Sequence, residues 1–96
     1  MERTEVYEKV DGERDYQDWR WDNDIREDRV PDEDKRPAEW LNYIKFHLEQ
    51  AEISNYMLNK EDTMDEIRKI AALAVRAIEI HGCPERVIPE PPTMTV

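Results

Sequence analysis

Glycine is almost missing from this sequence, with two in 96 residues, and cysteine occurs once. So little glycine argues against the turn-rich sheets of all-β proteins. Gly12 and Gly82, the only glycines, form no glycine-rich phosphate loop. A lone Cys83 excludes an internal disulfide, which fits a reducing compartment. No basic stretch followed by an apolar run opens the chain as a secretion signal does. The longest mainly apolar stretch, Ile70 to Ile80, is broken by Arg76 and Glu79 and falls well short of the roughly 20 residues that cross a bilayer. The expectation is a soluble cytoplasmic protein with no membrane contact.

What the chain has in abundance is charge, 40% of its residues, with 24 acids against 14 bases and a formal net charge of −10. Such a field repels phosphate backbones, so direct nucleic-acid binding is not expected. High charge with so few glycines suits polar-faced helices and points to an all-α fold. A chain of this length buries a small fraction of its surface, so a partner subunit would help it.

Three zones separate by composition: an acidic, aromatic segment over residues 1–36, a helical hairpin over 37–82, and a proline-rich tail over 83–96. In the first zone Tyr16, Trp19, Trp21 and Ile25 offer apolar anchors, while Asp11-Gly12 and Asp22-Asn23-Asp24 read as turns. A short helix is expected over Glu13 to Trp19, then an exposed loop over Glu27 to Lys35 around Pro31. The hairpin opens at Pro37, suited to the first helical position because its missing N–H has no intrahelical partner there. Trp40, Leu41, Ile44, Leu48, Ala51 and Asn55 recur at helical spacing, which predicts a helix from Pro37 to Met57.

The second hairpin helix is expected over Thr63 to Ile80, with Thr63 and Glu66 spaced for a reciprocal capping box. His81-Gly82 followed by Pro84 is a helix stop. This helix carries two apolar rows: Ile67, Ala71, Ala74 and Ile78, and beside them Ile70, Leu73, Ala77 and Ile80. One partner helix covers one row, so the other implies a homo-oligomeric helix bundle, a dimer or larger, with the N-terminal zone also folding over it. The tail, with Pro84, Pro89, Pro91 and Pro92, is expected to run extended or to be mobile.

Nucleophile chemistry has little material. His81 and Cys83 sit in a Gly/Pro turn that reads as a helix terminus, and His47 reads as a packing or surface residue. Carboxylates are the abundant resource. Glu49 and Glu52 are three apart on the first long helix, and Glu66 opens the second. Carboxylates converging from two helices are how a bundle holds Mg²⁺, although spaced glutamates in so acidic a chain more often form a solvated face.

Gly12-Glu13-Arg14-Asp15-Tyr16-Gln17-Asp18 with Trp19 and Trp21, then Trp40 opening a helix, then Ile70-Ala71-Ala72-Leu73-Ala74-Val75 with Ile78-Glu79, resemble small phage-encoded relatives of the MazG-like all-α nucleotide pyrophosphohydrolases. The resemblance implies an Mg²⁺-holding hairpin with tandem glutamates on its first helix and Glu-x-x-Asp on its second. This chain reads Tyr43-Ile44-Lys45-Phe46-His47-Leu48-Glu49-Gln50-Ala51-Glu52 in the first window, without tandem acids, and has Lys69 three residues after Glu66, with Arg68 beside it. A cation in a ligand position repels a metal. The metal motif is therefore incomplete, which leans away from an enzyme.

Three functions follow, beside the plain alternative of a structural homo-oligomer with no ligand. One is a phage-type accessory protein that binds a nucleotide without catalysis, gripping it with Lys45, Trp40, Tyr43, Arg68 and Lys69. Another is an acidic counter-defence or host-takeover inhibitor that fills a basic groove on a host protein. The third is a weak Mg²⁺-dependent nucleotide pyrophosphohydrolase using Glu49, Glu52 and Glu66.

Overall fold

The computed structural model describes residues 1–23 and 29–90. Ile25, Asp24, Glu27 and Asp28 of the expected anchors, turn and loop, and residues 91–96 of the tail, lie outside the described residues. The described chain forms α1 (Arg3–Asp22), a single 3₁₀ turn (Asp32–Asp34), α2 (Pro37–Tyr56) and α3 (Lys60–His81), and no strand occurs among the described residues. No helix among them is long and apolar enough to cross a membrane.

The N-terminal helix is not the short segment Glu13 to Trp19 but twenty residues long. Asp11-Gly12, read as a turn, continues the helix. Gly12 is exposed with open space where a Cβ would stand, so the turn signal reduces to the ordinary cost of a helical glycine, about 1 kcal/mol. What α1 buries is polar: Glu13, Arg14 and Gln17.

Pro37 opens α2 as expected, and the Glu39 carboxylate accepts the Arg36 N–H at 2.8 Å. The stripe that α2 buries is rotated from the expected one. Trp40 and Ala51 are buried and Tyr43, Ile44 and His47 half-buried, whereas Leu41, Leu48 and Asn55 are exposed. The cause is α3, whose Glu66 holds His47 at 2.6 Å and turns that side of α2 inward.

Helix α3 begins one turn before Thr63. Asn59 is the N-cap: its side-chain oxygen accepts the Asp62 N–H at 3.0 Å, and the Thr63 hydroxyl donates to the Asn59 carbonyl at 2.8 Å. Asparagine caps at least as well as threonine, and the earlier start leaves only Met57, Leu58 and Asn59 between the helices. Leu58 takes a left-handed φ of 59° there. Its N–H donates to the Asn55 carbonyl and that of Asn59 to the Ser54 carbonyl, a Schellman closure of α2. At the far end Gly82 takes φ 69°, ψ 179°, a region open essentially to glycine alone.

Both α1 and α2 pack on α3, which is the spine of the molecule. Glu66, Ile70, Leu73 and Ala77 continue one row of α3 toward α2, and Leu73 is buried. Arg68, Ala72 and Glu79 lie toward α1, with Ala72 fully buried. Residues 82–90 are exposed and carry no regular secondary structure.

Candidate functional site

The segment ending at Lys35, expected as an exposed loop, contains two of the most buried charges in the chain. Lys35 is 3% and Asp32 6% exposed. A 3₁₀ turn eclipses positions i and i+3, and this brings Lys35 Nζ to 2.7 Å from Asp32 Oδ1. Three aromatic rings surround the ammonium: Trp21 at 4.6 Å, and Trp40 and Tyr43 at 5.3 Å each. Their negative faces partly replace the water the cation gives up. From α3, Arg76 Nε donates to Asp32 Oδ2 at 3.0 Å, and the His81 ring nitrogen donates to the Lys35 carbonyl at 2.9 Å. Burial pushes the Asp32 carboxyl up, but hydrogen bonds from Lys35 and Arg76 outweigh it and hold the group below its ordinary range.

The network continues along alternating charges. Arg76 Nη1 reaches Glu79 at 2.9 Å, and Arg14 of α1 grips the same Glu79 with two bonds of 3.0 and 3.1 Å. Arg14 also holds Asp18 at 2.8 Å, and Arg29 stacks over Trp21 at 4.8 Å. A cavity of about 390 Å³ opens beside this network, walled by Asp18, Trp21, Asp22, Arg29, Asp32 and Arg76 among others. The aromatic cage is already filled by the protein's own lysine, so it acts as a latch that ties the 3₁₀ turn to α1 and α2, while Arg76 and His81 tie the same turn to α3.

A second network lies nearer the N-terminal end of α3. Glu13 accepts Arg68 Nε at 2.9 Å, and Arg68 also pairs with Asp65. Lys69 lies 3.1 Å from Glu66 and 3.5 Å from Asp65, and Gln17 Nε2 donates to the Lys69 carbonyl at 3.4 Å. Burial raises the Glu66 carboxyl, but His47 and Lys69 more than offset it, and Glu66 titrates below its usual range.

The proposed nucleotide-gripping residues are therefore dispersed. Trp40 and Tyr43 pack edge to face at 6.0 Å inside the Lys35 cage, Trp40 being 2% exposed. Arg68 and Lys69 belong to the second network and already hold carboxylates. Lys45 is exposed on α2. The proposed metal ligands are also apart: Glu49 and Glu52 are exposed on α2, while Glu66 faces His47. Among the described residues, no three His, Cys, Asp or Glu side chains are grouped to hold a metal ion. Sequence reasoning missed Asp32 and Lys35, for which the one available signal was their i,i+3 spacing after Pro31.

Two outward faces remain. On α1 Glu8, Asp11, Asp15, Asp18 and Asp22 recur at three- and four-residue spacing and are all exposed, a carboxylate ridge about 21 Å long at 1.5 Å per residue. On α3 Met64, Ile67, Val75 and Ile78 leave an apolar strip in the open. Comparisons with protein-family models, with curated proteins and with solved structures find no match to this chain.

Proposed function

We propose that this chain is a non-catalytic, acidic interaction protein that seats the carboxylate ridge of α1 in a basic groove of another protein, and that it works as a homo-oligomer. The observation that carries this reading is the division of charge. Arg14, Lys35, Arg68, Lys69 and Arg76 are committed to carboxylates within the fold, while Glu8, Asp11 and Asp15 point to solvent on a chain of net charge −10. A single-sign ridge along a helix steers association with an opposite charge and sets its salt dependence. A groove that normally takes nucleic acid is the partner chemistry such a ridge fits. That role suits a phage-encoded counter-defence or host-takeover inhibitor acting in the host cytoplasm.

The test is capture of a partner from host lysate at low salt, with release by heparin and by high salt. The double variant Asp11→Lys/Asp15→Lys, altered only at exposed positions, is expected to lose capture while keeping its helical signal. No retained protein at low salt, or retention that ignores the charge reversal, would sink the reading. A thermal-shift panel of nucleotides with and without Mg²⁺ discriminates the nucleotide-binding role that the MazG-like resemblance implies. Stabilisation lost in Lys45→Ala would favour that role, and pyrophosphate release lost in Glu66→Gln would favour the enzymatic one.

A further inference from the structure

We infer that the open face of α3 is a self-pairing surface, on which a second copy of this chain lays its own α3 antiparallel about a two-fold axis at Ala71. The inference deepens the homo-oligomer reading above and rests on it. With α2 on one side of α3 and α1 on another, Met64, Ile67, Ala71, Ala74, Val75 and Ile78 occupy the third side, within an arc of about 100° at 3.6 residues per turn. Met64 is 52%, Ile67 43%, Val75 39% and Ile78 49% exposed.

The strip is its own mirror image. Met64 and Ile78 lie seven residues either side of Ala71, and Ile67 and Val75 lie four either side. An antiparallel two-fold therefore sets Met64 on the partner's Ile78, Ile67 on its Val75, and Ala71 on Ala71. Large side chains meet at the ends, and alanines at the centre let the backbones approach closely. Orientation follows from shape. Beyond its crossing with α3, α1 leaves a groove of about 830 Å³ whose apolar wall combines Val6 and Val10 with Met64, Ile67 and Ala71.

Only the N-terminal half of the α3 strip has this overhang. The antiparallel arrangement lays the bare C-terminal half of each α3 into the groove of the other copy. A parallel one would crowd two overhangs together and leave both C-terminal halves in water. The other exposed face, the all-acid ridge of α1, would repel its own copy, which leaves the apolar strip of α3 as the face on which two copies can meet. One helix pair about 21 Å long with a groove wall lies at or below the low end of the roughly 1,200–2,000 Å² that stable interfaces bury. The pairing is therefore expected to be concentration-dependent.

Sedimentation velocity of the full chain over a concentration series, with single-cysteine cross-linking in a Cys83→Ser background, tests this. The expected result is a mass rising above the 11.6 kDa of one chain, reversed to the monomer by Ile67→Glu with the circular dichroism unchanged. Met64→Cys chains should form disulfides with Ile78→Cys chains when mixed under a mild oxidant, while neither cross-links efficiently to itself; Ala71→Cys should cross-link to itself. A monomer at every concentration overturns self-association altogether and leaves the strip to a foreign helix. Association that survives Ile67→Glu, or Met64→Cys joining to itself, overturns the α3 pairing and leaves the homo-oligomer reading standing. Should Ile67→Glu lose its helical signal, the cysteine pairs decide alone.

Discussion

Leu58 is the one non-glycine residue with positive φ among the described residues, and its side chain is almost wholly exposed. The left-handed conformation brings Cβ against the following carbonyl at about 1–2 kcal/mol, and no burial returns that energy. Glycine adopts this cap geometry without the clash. Leu58→Gly is expected to raise unfolding free energy by about 1 kcal/mol after its added chain entropy, read as a higher urea midpoint at unchanged slope. A lower midpoint would mean that Leu58 makes contacts in solution that offset its strain.

At the scale of elements, α1 differs from the hairpin in what holds it. Its footing on α3 includes Arg14–Glu79, Glu13–Arg68 and the Gln17 amide, bonds that salt and water compete for. Local opening is drawn from elements with few apolar contacts. In hydrogen exchange α1 is expected to open before α2 and α3, and Gly12→Ala to slow exchange in α1 by about 0.5–1 kcal/mol of added helix stability. Equal protection across the three helices would contradict this.

The same difference decides what the sequence could disclose. Helix α2 was legible to within a residue at its C-terminal end, and the stop at Gly82 was legible as well, because Pro37, the apolar spacing and Gly82 are local signals. The length of α1 was hidden, since a helix that buries Glu13, Arg14 and Gln17 shows no apolar period. The start of α3 was misplaced because Asn59 and Thr63 are both good caps, and only the tight turn chooses between them. Of the candidate site, residue types were readable but not their partners. The bonds from Arg76 to Asp32 and from Arg68 to Glu13 cross from α3 to the 3₁₀ turn and to α1, and no local pattern announces them.

For the whole molecule, the Asp32–Lys35–Arg76 junction ties the 3₁₀ turn to α3, two segments distant in sequence. A carboxyl whose folded-state titration lies below its unfolded value stabilises the fold fully above that unfolded value, about pH 4. The stabilisation is lost as pH falls through the folded value. Asp32, Glu66 and Glu79 all shift downward, so unfolding free energy should decline below about pH 4. Asp32→Asn leaves the Lys35 ammonium buried without its counter-charge, and a cost of about 3–5 kcal/mol is expected. Asp32→Asn/Lys35→Met should recover most of that loss and show a shallower acid decline. A double variant no better than the single one would show that the latch is held by its aromatic walls.

Asn59 belongs to two helices at once: its backbone N–H closes α2 on the Ser54 carbonyl while its side chain opens α3 at Asp62. Fraying at either end therefore removes the other's terminus, which makes the hairpin one cooperative melting unit. The chain length between the helices is fixed by the same bonds. One residue inserted there would separate the two roles that Asn59 now fills alone.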